Sequence, residues 1–192
     1  ELNPNLSRAH YNLGNLLKDL NKLEDAENSY RKAIELNPLI ADFHLGLGIL
    51  LSEIGRLNEA ELSTRKGIEI KPNYELGYAL LGTILRSLGR LKEAEFATRK
   101  AIEINPLLAT TIINLGSILR DLGRLKEAEL ITRKAINLDP ISAEGYSNLG
   151  IILKDLGRLK EAELVTRKAI NLKPNYAVSY FYLAEILQDL GQ

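Results

Sequence analysis

Two histidines are the side chains in this sequence best suited to metal binding or proton transfer near neutral pH. His10 and His44 lie 34 residues apart. The chain has no cysteine, and no third ligand is spaced to join the two imidazoles, so we expect no metal site. Tyr78, Tyr146 and Tyr180 occupy the equivalent positions further along the chain. This pattern favours a packing role for both histidines.

A row of acidic side chains could bring carboxylates together on one surface. The row consists of Asp19, Glu53, Asp121, Asp155 and Asp189. Neighbouring carboxylates can act as a general acid and a general base. However, Lys18, Arg120 and Lys154 directly precede three of these acids. The sequence therefore predicts a charge-balanced ridge and no catalytic residues.

Four threonines also recur at one position: Thr64, Thr98, Thr132 and Thr166. A nucleophilic hydroxyl needs a base beside it, and no histidine repeats with these threonines. Tyr30 holds the same position in the first part of the chain. We expect either looser packing around the threonines or hydroxyls that bond back to the preceding helical turn.

These residues belong to elements that repeat along the whole chain. The six prolines are spaced 34 residues apart: Pro4, Pro38, Pro72, Pro106, Pro140 and Pro174. A fixed period of this length indicates a tandem array in which each repeat packs mainly against its neighbours. We therefore expect function on an extended surface and not in one enclosed pocket.

Each period begins with an amphipathic helix pattern. The spacing i, i+3, i+4 and i+7 places Leu13, Leu16, Leu17 and Leu20 on one helical face. Asn21 follows this stripe, and glycine follows it in the later periods. Both residue types tolerate the left-handed conformation that commonly ends a helix.

A second helix pattern completes each period. Small residues such as Ala94 and Ala101 would allow the two helices to approach closely. Acidic and basic residues are paired at i, i+4 on the other face: Glu27–Arg31, Glu61–Arg65, Glu95–Arg99, Glu129–Arg133 and Glu163–Arg167. Each such pair stabilises a helix by roughly 0.2–0.5 kcal/mol, and we expect it to lie in solvent.

The period and the recurrence of residues equivalent to Leu13, Gly14, Leu17, Ala26 and Pro38 resemble the tetratricopeptide repeat. The resemblance implies an all-α fold, a right-handed α-solenoid or superhelix of antiparallel helix pairs. It implies a single array over residues 1–192, divided as follows. Residues 1–6 end a preceding repeat, five repeats occupy 7–40, 41–74, 75–108, 109–142 and 143–176, and 177–192 form an unpaired first helix.

The resemblance also implies where a partner binds. In tetratricopeptide arrays the first helices line a concave groove that holds peptides or helices of partner proteins. The groove positions of this chain are Tyr11, Asn12, Asn15, Leu45, Ile49, Leu76, Leu80, Thr83, Ile113, Asn114, Ser117, Asn148, Ile151, Phe181 and Tyr182. Unlike the leucine stripe, these positions change from repeat to repeat, so the groove could select a particular partner.

Asparagines at three equivalent groove positions resemble the ladder that lines the repeat superhelix of O-GlcNAc transferase. They are Asn12, Asn114 and Asn148, and a carboxamide can both donate to and accept from a peptide backbone. Gly46, Leu80 and Tyr182 interrupt this ladder. The expected anchors for apolar side chains are Leu45, Ile49, Leu76, Leu80, Phe181 and Tyr182.

A different known mode of binding is not expected. Tetratricopeptide co-chaperones hold the C-terminal carboxylate of heat-shock proteins with lysines, arginine and asparagines. Asn15 fits one position of that clamp, but Tyr11, Gly46, Leu76 and Leu80 occupy the others and supply no cation. We therefore expect no binding of chaperone tails.

Composition narrows the class of partner. The 25 basic and 25 acidic residues of the 192-residue chain cancel, leaving no field to attract nucleic acid or an anionic membrane. No apolar run approaches the roughly 20 residues of a membrane span, and no signal peptide opens the chain. We expect a cytoplasmic protein without a cofactor whose partner is a protein or peptide.

The two ends of the sequence interrupt the repeat. Residues 1–4 reproduce the Glu-Leu-Asn-Pro of 35–38, and the helix pattern in 177–192 lacks a second helix. This suggests a fragment of a longer protein. An unpaired helix would expose apolar surface, so we expect end-to-end self-association through residues 177–192.

The sequence therefore predicts a non-enzymatic module that binds a peptide or a segment of a partner protein in its groove. Two alternatives stay open. The array could be the substrate-recognition arm of a larger enzyme, such as a transferase, whose catalytic domain lies outside these residues. It could also be a structural spacer that assembles with its own copies.

Overall fold

The computed structural model describes residues 4–191 and contains only helices in that part of the chain. These are α1 (Pro4–Asp19), α2 (Leu23–Leu36), α3 (Ala41–Glu53), α4 (Leu57–Ile70), α5 (Glu75–Ser87), α6 (Leu91–Ile104), α7 (Ala109–Asp121), α8 (Leu125–Leu138), α9 (Ala143–Asp155), α10 (Leu159–Leu172) and α11 (Ala177–Asp189). The predicted all-α fold of paired helices is confirmed. Residues 1–3, predicted to belong to a preceding repeat, lie outside the described residues.

The first helices end as the sequence predicted. Gly55 has a φ of 79°, and the backbone N–H of Arg56 donates to the carbonyl of Leu51 at 2.9 Å. This hydrogen bond closes the last turn of α3. Asn21 has a φ of 57° and does the same for α1. Asparagine is one of the few non-glycine residues that enter this conformation at low cost.

The helices form two compact units, Glu1–Ile104 and Asn105–Gln192. In the first unit α1, α3 and α5 contact one another in sequence, and each packs against the helix that follows it. In the second unit α7, α9 and α11 do the same, with α8 and α10 as the partners of the first two. We call α1, α3, α5, α7, α9 and α11 the first helices and the others the second helices.

The core of each unit lies between first and second helices. In the first unit Tyr30, Leu50, Leu51 and Ile84 are almost completely buried. Alanines at the helix crossings are buried without exception: Ala26, Ala60, Ala94, Ala101, Ala128, Ala135, Ala162 and Ala169. These small side chains confirm the predicted close approach of the paired helices.

The leucine stripe of α1 differs from its equivalents in later repeats. Leu13 and Leu16 are 44% and 56% exposed, whereas their equivalents Leu47 and Leu50 are 5% and 0% exposed. The reason is that α3 packs against the preceding α2, while no helix packs against this face of α1 within residues 4–191. The stripe is thus a buried core face only where another repeat precedes it.

The last described helix also exposes apolar side chains, as expected. Val178, Tyr180 and Phe181 of α11 are accessible to solvent, whereas Leu183 and Ile186 are buried. Self-association through this helix stays a prediction.

Candidate protein-interaction surface

The predicted groove residues differ widely in exposure. Asn12, Leu76, Thr83 and Phe181 are exposed; Tyr11, Asn15, Ile49, Leu80, Asn114, Ser117 and Tyr182 are partly buried; and Leu45, Ile113, Asn148 and Ile151 are buried. Only the first two groups offer side chains to a partner. In the second unit the rings of Phe181 and Tyr182 contact each other, with their centroids 5.9 Å apart.

Three of the predicted groove residues meet at a depression between α1 and α3. Tyr11, Asn15 and Ile49 line this cavity of about 270 Å³. Its other lining residues are Lys18, Asp19, Tyr30 and Gly46. We call this depression the α1–α3 pocket.

Tyr30 forms the fully buried floor of the α1–α3 pocket. Its hydroxyl donates to Oδ1 of Asn15 at 2.6 Å, and its ring lies 5.7 Å from the ring of Tyr11. Burial raises the pKa of Tyr30 to about 12, so the hydroxyl stays protonated at neutral pH. Tyr11 in turn stacks on Phe43 at 5.1 Å. These contacts hold Tyr11 and Asn15 in fixed positions at the pocket wall.

Gly46 keeps the α1–α3 pocket open. A Cβ atom at this position would lie 2.8 Å from the Tyr11 ring and 3.1 Å from the Tyr30 ring. Both distances are too short for carbon atoms without rearrangement. The lack of a side chain at Gly46 therefore leaves room for the rings of Tyr11 and Tyr30.

The charged side chains of the first helices are paired between repeats. Lys18 contacts Glu53 at 3.3 Å in the first unit. In the second unit Arg120 contacts Asp155 at 2.5 Å, and Lys154 contacts Asp189 at 3.6 Å. The predicted charge-balanced ridge is confirmed for these pairs.

Asn148 does not serve as a free rung of an asparagine ladder. Its Nδ2 donates to the carbonyl of Ile113 at 3.2 Å, and its Oδ1 accepts from the Ser117 hydroxyl at 3.0 Å. The side chain is buried between α7 and α9. Both ends of the carboxamide are thus used inside the protein, contrary to the ligand-binding role expected from the sequence. Asn12 is exposed and Asn114 partly buried, so their ladder role stays a prediction.

The threonines explain why Asn148 is buried. Nδ2 of Asn148 lies 3.5 Å from Oγ1 of Thr132, which occupies the position that Tyr30 has in the first repeat. The tyrosine at position 30 contacts Gly46 of the next repeat, whereas threonine leaves room for a larger side chain. Leu80, which follows Thr64 in the same relation, packs against the core of the first unit.

Two of the threonine hydroxyls bond as predicted. Thr98 and Thr166 each donate to the carbonyl four residues earlier, Ala94 and Ala162, at 2.8 Å. The hydroxyl of Thr64 is buried and has no hydrogen-bond partner within the described residues.

Three predicted apolar groove residues are core residues instead. Leu45 packs with Ala41 and Tyr74 in a buried cluster of the first unit, and Ile113 and Ile151 are each 1% exposed. They cannot anchor a ligand in this structure. Sequence periodicity missed this because a first-helix position near the groove can also face the next repeat.

The packing role predicted for the histidines is confirmed for His44. This residue is buried, and its Nε2 lies 2.8 Å from the carbonyl oxygen of Pro38. Tyr180 makes the equivalent bond, because its hydroxyl donates to the carbonyl of Pro174 at 2.9 Å. In residues 4–191 no group of three or more histidine, aspartate or glutamate side chains is arranged to hold a metal ion.

The second helices carry the predicted ion pairs and a further set that the sequence did not indicate. All five i, i+4 pairs are present at 2.7 to 2.9 Å: Glu27–Arg31, Glu61–Arg65, Glu95–Arg99, Glu129–Arg133 and Glu163–Arg167. After three of the first helices, α3, α5 and α9, an arginine also reaches back to the glutamate of the preceding repeat. These contacts are Arg56–Glu27 at 2.7 Å, Arg90–Glu61 at 2.6 Å and Arg158–Glu129 at 2.8 Å.

Because these arginines form ion pairs with glutamates, we expect the stability of the protein to fall in acid. Burial alone would raise the pKa of Glu27, but hydrogen bonds from Arg31 and Arg56 outweigh burial and hold it below the usual 4.5. The hydrogen bond from Arg90 likewise lowers the pKa of Glu93. The unfolded chain then binds more protons in acid than the folded one. The stability gained is present above pH 4.5 and is lost as pH falls through the folded pKa values.

Urea unfolding at neutral pH and at about pH 3 measures this loss directly. We expect a lower midpoint in acid and a smaller pH effect in Arg56→Gln, which removes one donor to Glu27. An equal pH effect in the variant would show that the arginine contacts do not hold these carboxylates ionised.

Stacked helix pairs with a variable surface on their first helices define a helical-repeat scaffold. Sequence profiles of the tetratricopeptide repeat match residues 7–38, 29–61, 77–106, 109–142 and 143–176. The chain belongs to the tetratricopeptide repeat family. Such repeats are generally non-catalytic adaptor modules that bind proteins. No curated protein matches the sequence.

Solved structures of similar proteins have the same fold. A tetratricopeptide protein of Thermus thermophilus, TTC0263, is 23% identical with a TM-score of 0.80, over 95% of this chain and 99% of that one. PilF of Pseudomonas aeruginosa is 19% identical with a TM-score of 0.81, over 97% and 86%. YrrB, described as having an unusual peptide-binding site, is 26% identical with a TM-score of 0.67, over 90% and 89%. None of the helices in residues 4–191 combines the length and apolar character needed to span a membrane.

Proposed function

We propose that this protein binds a peptide segment of a partner protein on the surface of its first helices. The observation that carries the proposal is the α1–α3 pocket, a cavity of about 270 Å³ lined by the predicted groove residues Tyr11, Asn15 and Ile49. The likeness to YrrB, a tetratricopeptide protein with a peptide-binding site, supports the same type of ligand.

The chemistry of the α1–α3 pocket suits an apolar side chain flanked by peptide groups. Tyr11 and Ile49 supply apolar walls, and burying such surface contributes about 25 cal/mol per Å². Oδ1 of Asn15 accepts from Tyr30, which turns the Nδ2 group of this amide into the free donor for a peptide carbonyl. The nearby Asn12 is exposed and can bond the next stretch of backbone.

Affinity measurements on matched variants test this proposal. Peptides would be selected from a random library on the immobilised protein and measured by calorimetry. Ile49→Thr is expected to weaken binding about tenfold, since a lost apolar anchor costs about 1.4 kcal/mol. Threonine already occupies the equivalent position in the next repeat, at Thr83, so the helix should be unaffected.

Leu130→Ala is the control for the first-helix surface. Leu130 is an exposed apolar residue on the second helix α8, so its loss should leave the affinity unchanged. Equal affinity of the wild type and Ile49→Thr for every selected peptide would remove the α1–α3 pocket from the binding site.

A further inference from the structure

We propose a second peptide-binding site on the opposite face of the first unit, in the cleft between α4 and α6. The cleft encloses about 630 Å³, with α5 as its floor. We infer that it accepts a large apolar side chain of a partner protein that stands next to an acidic residue. This site is separate from the first-helix surface described above.

The cleft has an apolar interior. Leu81 and Leu85 of α5 form a buried floor, Ile68 of α4 forms one wall, and Ala97 of α6 forms the other. Its volume lies within the range of pockets that hold small ligands or single anchoring side chains.

The small side chain of Ala97 leaves space in the cleft. This side chain is 2% exposed, and the equivalent positions in the next two repeats hold Ile131 and Val165. Val165 packs against the buried cluster that contains Leu149 and Leu153, which correspond to the floor residues Leu81 and Leu85. A β-branched side chain thus fills the space that alanine leaves open.

Two side chains at the cleft are open to a ligand. Phe96 is 73% exposed at the rim, and it places an aromatic ring where Leu62, Leu130 and Leu164 are exposed to a similar degree. Tyr78 also lines the cleft, and its hydroxyl has no hydrogen-bond partner within the described residues. At the equivalent positions, His44 and Tyr180 bond to proline carbonyls. Tyr78 therefore keeps a polar group available to a ligand.

The charged side chains at the rim indicate which charge the ligand should carry. Glu93 is held by Arg90 at 2.6 Å, Glu69 by Lys66 at 3.0 Å, and Arg65 by Glu61 at 2.8 Å. These charges are already neutralised. Lys92, the remaining charged residue at the cleft, makes no ion pair within residues 4–191. One uncompensated positive charge beside an apolar cavity complements an apolar side chain with a neighbouring carboxylate.

The preceding repeat contains a matched cleft that lacks these features. It encloses about 440 Å³ and has His44, Leu62 and Ser63 where the α4–α6 cleft has Tyr78, Phe96 and Ala97. Its polar groups are satisfied, because His44 contacts Pro38 and the Ser63 hydroxyl donates to the His44 carbonyl at 2.8 Å. Asn58 stands in place of Lys92. This cleft serves as an internal control.

The experiment is selection of a random phage-displayed peptide library on the 192-residue protein, followed by affinity measurement on variants. Ala97→Ile fills the α4–α6 cleft with the residue that the chain itself uses at position 131. We expect a class of peptides that loses at least about tenfold in affinity for Ala97→Ile and for Phe96→Ala. The same peptides should bind Leu62→Ala and Ile49→Thr as tightly as the wild type.

The acidic part of the proposal has its own readout. The Ala97-dependent peptides should share an aspartate or glutamate next to a large apolar residue, and Lys92→Asn should weaken them several-fold at low salt only. A library without Ala97-dependent peptides would overturn the site. If the Ala97-dependent peptides lack an acidic residue and bind Lys92→Asn with unchanged affinity, the proposed acidic ligand is wrong. Phe96→Ala changes an exposed residue and keeps the test valid if Ala97→Ile fails to fold.

Discussion

Replacing Thr132 by tyrosine is expected to lower the free energy of unfolding by about 2–3 kcal/mol. The space above Thr132 is filled, because Nδ2 of Asn148 lies 3.5 Å from its hydroxyl. A Cβ atom on Gly116 would overlap the same hydroxyl, so the backbone of α7 also lies close to Thr132. A phenol ring has to displace Asn148 or separate the helices. Urea unfolding followed by circular dichroism measures the loss.

The second substitution Asn148→Gly should restore much of that stability. The pair Thr132→Tyr and Asn148→Gly recreates the combination of Tyr30 with Gly46 that the first repeat already uses. Asn148→Gly alone should destabilise the protein, since it removes hydrogen bonds to Ile113 and Ser117 and places glycine inside a helix. A double variant less stable than either single variant would show that the two positions are not complementary in size.

Replacing Tyr30 by threonine is expected to cost about 3 kcal/mol, near the lower end of the range for removing a buried aromatic ring. The ring is fully buried against Tyr11 and below Gly14, and its hydroxyl bonds to Asn15. Threonine leaves a cavity and removes that hydrogen bond. Chemical unfolding of the purified variant gives the size of the effect.

Gly46→Leu should cost less stability in the Tyr30→Thr variant than in the wild type. In the wild type its Cβ would lie 2.8 Å from the Tyr11 ring and 3.1 Å from the Tyr30 ring, so we expect a loss of stability. In the Tyr30→Thr variant only the Tyr11 contact is left, and the leucine can occupy the space of the missing ring, as Leu80 packs in the repeat that follows Thr64. An equal loss of stability in both proteins would contradict this account of how neighbouring repeats fit together.

The regular part of the fold could be predicted from the sequence. The leucine spacing and the residues Asn21 and Gly55 located the first helices and their ends, because both depend on local geometry. The Glu27–Arg31 pair and its four equivalents were predictable for the same reason, since a helix always places i and i+4 on one face.

The surface was harder to predict, because exposure depends on the neighbouring repeat. Asn148 has the position of a groove residue, yet its side chain is buried against the small Thr132. Leu45 is likewise buried against Tyr74, which directly precedes the first helix of the following repeat. The Arg56–Glu27 contact joins two repeats, and the helical spacing within one repeat does not indicate it. Side-chain volumes compared across adjacent repeats could have indicated the first of these.

The two proposed sites lie on different faces of the first unit. The α1–α3 pocket depends on a large Tyr30 and a missing side chain at Gly46. The α4–α6 cleft depends on the small Ala97 beside an exposed Phe96. Each proposed site thus lies at a departure from strict repetition. We propose that this variation between repeats provides the binding specificity.

The most direct test of the central claim is a map of backbone amide shifts in the ¹⁵N-labelled protein on titration with a peptide selected on it. For a peptide whose affinity depends on Ile49, we predict that the largest shifts fall on α1 and α3, around Tyr11, Asn15 and Ile49. Shifts confined to the second helices, with Tyr11 and Asn15 unchanged, would contradict peptide binding on the first-helix surface.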